Sequence, residues 1–329
     1  MIDDGDGLGL VIENASQELA DVIQADIKRR EEGAVIMRIF LAVRDVLDPR
    51  SHSKTRVVFT GDLVKSVNDR EQRDKPFTME RGSGLVAAKT MPPNDEGVVD
   101  ILIPSFWLMP DDDASKEADT ARMVGHVAAH ESIHAALHHL GTMPFDVYKE
   151  RQEFGYASVQ FVAMASEQIE EHLAEYLSNQ VVRSKDGTTA NEVVAAFEAF
   201  QRTIEVELPA IPEDDPDYFN KGMMVTFEAL HILWKALVYL AAEVRVGNDF
   251  ESVPAEIDVL KIWSKSVAPW WREYTSLLGR IPMSIEIDIT STDAVVVEMG
   301  RFLQRWAYDL GFDFHDKGDG GYFRIMIWD

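Results

Sequence analysis

The sequence predicts an α+β fold that is mainly helical, and three observations carry that prediction. Beyond residue 114 most of the chain repeats its apolar residues at helical spacing. Short runs rich in β-formers, residues 55–60, 84–90 and 98–103, stand directly before the first long helical stretch. The tail then changes period: residues 284–289 and 322–327 alternate polar and apolar, as half-buried strands do. We therefore expect a small sheet ahead of a helical body. A strand–helix–strand appendage should follow at 281–329. The expected division is residues 1–250 as the main domain and 251–329 as a C-terminal helical and α+β appendage, separate or packed into the same domain.

Taken in order, residues 1–12 are glycine-rich and acidic and are expected to fray. Asn14 or Ser16 offers a cap to a helix carrying Leu19, Val22, Ile23 and Ile27. A second helix, with Val35, Ile36, Ile39, Phe40, Val43, Val46 and Leu47 on its apolar face, ends at Asp48-Pro49. Polar or Gly/Pro-containing segments at 65–83 and 91–97 read as loops between the three strands. Asp111 to Asp113 precede the helix expected at 115–140, where negative charge suits the positive helix end. Gly141 and Pro144 stop it. Helices are expected at 157–182, 190–207, 219–246, 255–278 and 292–310. Asp313, His315, Asp316 and Asp319, ahead of Gly320-Gly321, read as a hairpin turn because a calcium-loop spacing is absent. The Trp group at 263–271 reads as core.

Composition narrows the function. Hydrophobic residues at 46% and charged residues at 27% suit a soluble globular chain. A net charge of −25 disfavours nucleic acid and anionic membranes as partners, and draws in a basic peptide more readily than an acidic one. The absence of cysteine excludes disulfides, thiolate zinc sites and cysteine nucleophiles. The acidic start does not resemble a signal peptide. The most apolar stretch, Met223 to Val246, is interrupted by Glu228, His231, Lys235 and Glu243, which favours a buried helix over a membrane span. A cytoplasmic location is the expectation.

The organising motif is His130-Glu131-Ser132-Ile133-His134, an H-E-x-x-H string inside the helix 115–140. Residues four apart share a helix face, so both imidazoles can bind one metal ion. Glu131 follows the first imidazole, where a carboxylate reaches a water in the metal's open position. His126 and His138 extend the same ladder, but a further turn moves a side chain about 5–6 Å along the axis. They are expected to line the cleft or to be hydrogen-bonded. A catalytic zinc needs a third protein ligand. The arrangement H-E-x-x-H-x-x-G-x-x-H fails here, because Leu137 and Leu140 stand at the Gly and third His positions.

Downstream, Glu167, Glu170, Glu171 and Glu175 lie in the helix 157–182. One reading is a solvated acidic face opposite Val162, Ile169, Leu173 and Leu177. The other starts from Glu171-His172-Leu173-Ala174-Glu175-Tyr176-Leu177, which resembles the E-G-x-A-E-Y or E-x-x-x-D helix of the gluzincin metallopeptidases. The resemblance spans about 50 residues, from His130 to this segment. It implies a zincin-like fold, with Glu171 as third zinc ligand beside His130 and His134. It also implies that Glu175 accepts from an imidazole N–H of His130 or His134. The gap of 37 positions from His134 to Glu171 exceeds that of the better-known members, so Glu167 and Glu170 stay open as ligands. No G-x-M-E-N string precedes the motif, so the aminopeptidase branch lacks its amine-binding element.

The reaction implied is hydrolysis of a peptide or protein substrate, with Zn2+ as cofactor and Glu131 as general base. A further donor to the substrate carbonyl is sought among Tyr148, Tyr156 and His231, the last more simply read as a core histidine. Strand 98–103 is expected to accept an extended peptide at its edge. The alternative is a non-catalytic protein of the same fold acting in interaction or regulation, against which the intact Glu131 speaks.

Overall fold

A computed structural model describes residues 2–3, 7–29, 34–71, 76–81, 84–108, 114–142, 155–182, 190–212, 214–246, 253–317 and 320–326. The chain parts into two compact units. One comprises Met1–Thr142 with Ala174–Lys185, and the other Met143–Leu173 with Asp186–Asp329.

The first unit begins with β1 (Ile2–Asp3), β2 (Gly9–Glu13), α1 (Gln17–Arg29), α2 (Val35–Val46) and α3 (Pro49–His52). It continues through β3 (Thr55–Thr60), α4 (Leu63–Arg70), β4 (Glu80–Arg81), β5 (Gly84–Leu85), β6 (Lys89–Thr90) and β7 (Val99–Pro104). A 3-10 turn, Ser105–Leu108, then precedes α5 (Ala114–Leu140). Five strands form a mixed sheet in the order β1-β2-β3-β7-β6. Strands β2, β3 and β7 run parallel, while β1 and β6 lie antiparallel at the two edges.

Parallel strands covered on both faces read as unbroken apolar runs, and β3 and β7 do. Val57, Val58, Phe59, Ile101, Leu102 and Ile103 are all fully buried. Val58 and Leu102 pack with Leu63 and Val67 of α4, with Phe77 and with Met91. Side chains alternate along a strand, so Val57, Phe59, Ile101 and Ile103 face the other side. There α5 packs along β7 and α2 along α5.

Three expectations for this unit change. The opening segment does not fray from Gly9 onward, because β2 pairs in parallel with β3 and buries Leu10. Residues 65–70, expected within a loop, belong to helix α4. Asp62 caps it by accepting from the Lys65 N–H at 2.9 Å, and Leu63 and Val67 face the sheet. Strand 84–90 is in fact two short pieces, β5 and β6, in different sheets. An ion network ties the sheet to α4. Asp100 accepts from Arg56 at 2.6 and 2.8 Å and from Arg70 at 2.8 Å, and Arg70 also clasps Glu13 at 2.8 and 2.9 Å.

The second unit holds most of α6 (Tyr156–Val181), then α7 (Ala190–Arg202) running into a π-helical turn, Thr203–Glu207. After it come α8 (Tyr218–Val246), α9 (Ala255–Asp258), a second π turn (Trp263–Val267), α10 (Ala268–Gly279) and α11 (Ile289–Asp309). The hairpin β8 (Phe312–Lys317) and β9 (Gly320–Ile325) closes the described chain. One aromatic-rich core unites these helices, with Phe161, Trp234, Trp263, Tyr274, Phe302 and Trp306 all buried. Helix α8 is long and apolar enough to cross a membrane by length and composition, yet half of its most apolar window is buried within the protein.

The tail departs from expectation. Residues 284–288 form no strand, and Ile287 is buried from an irregular turn in which its N–H bonds to Ile285 O. The strand pair of the tail is instead β8–β9, so the tail runs helix then hairpin. Asp316 of β8 caps α6, accepting from the Ala157 N–H at 2.6 Å and the Ser158 hydroxyl at 2.5 Å. A Cβ at Gly155 would lie 2.1 Å from the Asp316 carboxyl carbon, so a side chain there would displace this cap. The described residues are thus mainly helical, with a small mixed sheet and two two-stranded antiparallel sheets.

Candidate metal centre

Helix α5 carries the H-E-x-x-H string through its middle turns. It ends as the sequence indicates. Gly141 takes φ +63°, the Thr142 N–H bonds to Leu137 O, and the Gly141 N–H bonds to His138 O. Its buried face is Val124, Ala128, Ala129, Ile133, Ala135 and Leu137, leaving His130, Glu131 and His134 only partly covered.

Nε2 of His130 and Nε2 of His134 lie 3.2 Å apart. Two nitrogens about 2.0–2.1 Å from a tetrahedral zinc stand about 3.3–3.4 Å from each other, so the two rings already converge at ligand spacing. Nδ1 of His130 faces Glu175 Oε2 at 3.2 Å. Its N–H donates to the carboxylate, which leaves the Nε2 lone pair for a metal.

Glu171 completes the group. One ligand atom from each of His130, His134 and Glu171 falls within 4.8 Å of the others. Two neutral imidazoles and one carboxylate are a donor set that zinc accepts, and the spacing fits.

Glu175, one turn further along α6, is 8% exposed. It accepts from His130, from His126 Nε2 at 3.1 Å and from Asn179 Nδ2 at 2.8 Å. Burial pushes its carboxyl up, but the hydrogen bonds from His126 and His130 outweigh that and hold it well below the usual carboxylate range. His126 turns its other nitrogen to Val182 O at 2.9 Å, so it is a hydrogen-bonded neighbour of Glu175.

Glu131 is held by the sheet edge. Its Oε2 accepts from the Thr90 N–H at 2.6 Å, and its own carbonyl accepts from the Thr90 hydroxyl at 2.7 Å. This places the edge strand β6 against the motif. Strand 98–103 is therefore not the edge expected to receive a peptide. Residues 89–94 cover it, through β6 and through the Met91 N–H on Asp100 O and the Asn94 N–H on Val98 O.

The remaining candidates divide. Glu167 lies 3.4 Å from His231 Nδ1, so these two are engaged with each other. Tyr148 and the side chain of Tyr156 fall outside the described residues. Four residues escaped the sequence reading. Thr90, Asn179, Lys235 and Tyr239 gave no pattern of their own, although Lys235 and Tyr239 stand four apart in an otherwise apolar helix. Lys235 Nζ and Tyr239 OH bond to the two oxygens of Glu171, at 3.1 and 2.7 Å.

No known protein family, no curated protein and no solved structure matches this chain.

Proposed function

We propose that this chain is a zinc-dependent peptidase of gluzincin type. The observation that carries the reading is the convergence of the His130 and His134 Nε2 atoms, 3.2 Å apart, with Glu171 completing a His-His-Glu group. Zinc, when bound, supplies a Lewis acid that brings the pKa of a water in its open position to about 7. His130, His134 and Glu171 would hold it, with Glu175 fixing the His130 ring. Glu131 takes the proton of the attacking water and returns it to the leaving amine. The Thr90 N–H steadies one Glu131 oxygen while the other does this work. The substrate is a peptide or protein, and the net charge of −25 favours basic sequences around the cleaved bond.

A second reading has one observation in its favour. Glu131 is bonded at both its carboxylate and its carbonyl to Thr90, which is also what a structural glutamate would do. That reading makes the protein a non-catalytic metal-holding module. Zinc-loaded Glu131→Gln separates the two. Loss of peptide hydrolysis by a factor of at least about 10² with zinc retained is the expected result. Hydrolysis at the wild-type rate removes Glu131 as the base.

A further inference from the structure

An apolar helix directs a cation at a carboxylate that the metal group needs. Around Lys235, helix α8 buries Leu230, Leu233, Trp234, Leu237 and Val238. Lys235 itself stays one-third exposed and reaches Glu171, whose side chain is 12% exposed. Its ammonium also lies 5.7 Å from the centre of the Tyr239 ring, so the two donors form one assembly over one carboxylate.

These donors differ in charge. A carboxylate has about four lone-pair sites, so Glu171 can accept from both and still offer a pair to a metal. Tyr239 is neutral; it fixes the carboxylate and opposes no second cation. Lys235 is charged. It draws electron density from Oε1 and repels a divalent ion approaching the same group.

We propose that Tyr239 and Lys235 act on Glu171 in opposite senses: Tyr239 positions the carboxylate as a metal ligand, and Lys235 weakens its grip and leaves the bound metal more electrophilic. This rests on the metal-site reading above. Both are positioning residues, acting through Glu171. A purely structural ion pair predicts something else, namely that losing Lys235 lowers stability and leaves metal affinity equal or weaker.

The test is a zinc titration of the full-length protein in competition with a chromogenic chelator, with thermal melting of each metal-free variant alongside. Lys235→Met should bind zinc about tenfold more tightly, even as its metal-free form melts lower. Lys235→Arg, which keeps the charge, should bind as wild type does. Tyr239→Phe should bind about tenfold more weakly. Unchanged or weaker binding by folded Lys235→Met overturns the inference, as does tighter binding by Lys235→Arg. If Lys235→Met does not fold, unchanged affinity in Tyr239→Phe overturns it instead. Wild-type protein that binds no zinc overturns the metal-site reading together with this one, whereas zinc binding indifferent to both residues overturns this one alone.

Discussion

Replacing Glu175 with Gln should weaken zinc binding about tenfold while leaving the three ligand residues in place. The carboxylate accepts from two imidazoles, at 3.1 Å from His126 and 3.2 Å from His130. Hydrogen bonds to a charged group contribute about 1.5–3 kcal/mol, against about 0.5–1.5 kcal/mol for neutral pairs. The amide keeps one acceptor oxygen, which Asn179 and His126 share, and turns an NH2 toward the other ring. The His126 bond is the same with or without metal, so only the His130 bond bears on affinity: about 1.5 kcal/mol is lost there, or about tenfold, at the lower end of the range seen for outer partners of metal ligands. The assay is competition against a chromogenic chelator at fixed pH, with circular dichroism to verify the fold. Affinity within twofold of wild type in a folded Glu175→Gln protein would refute the claim that this carboxylate orients His130 for the metal.

Other outcomes follow from the same structure. Arg70→Met leaves Asp100 and Glu13 short of their shared guanidinium and should cost about 3 kcal/mol, read as a lower midpoint in urea. Burial raises the Glu13 carboxyl, but Arg70 outweighs that and holds it below the ordinary glutamate value of about 4.5. Its stabilisation is therefore complete above about pH 4.5 and disappears as the pH falls through the depressed folded value. Arg70→Met should flatten that acid limb, and an acid limb identical to wild type would exclude Glu13 as its source. Gly61→Ala should unfold or strongly destabilise the protein, because a Cβ there would sit 2.2 Å from the Asn14 carbonyl oxygen; a melting temperature unchanged from wild type would contradict that packing.

What the sequence disclosed tracks the strength of each physical signal. Strands 55–60 and 98–103 stood out because sheet positions covered on both faces leave continuous apolar runs, and those runs are β3 and β7 almost to the residue. The helix carrying His130 and His134 was legible from its period and its Gly141 stop. Glu171 and Glu175 were reached only through a resemblance, since a four-residue spacing of acids equally describes a solvated face. Helix α4 was missed because eight residues give little periodicity, and β2 because its glycines suggested fraying although Gly9 pairs inside the sheet. The alternation at 284–289 misled, because a period of two marks a strand only where a partner strand is at hand. Thr90, Lys235 and Tyr239 depend on which elements meet in space, and no local pattern encodes that.

The most direct test of the central claim is the metal content of the purified protein by elemental mass spectrometry, with wild type beside His134→Ala. The His130–His134–Glu171 group predicts close to one zinc per chain in wild type and its loss in the variant. No metal in wild-type protein, even after zinc is added back, would contradict the account and leave the H-E-x-x-H string without a metal to serve.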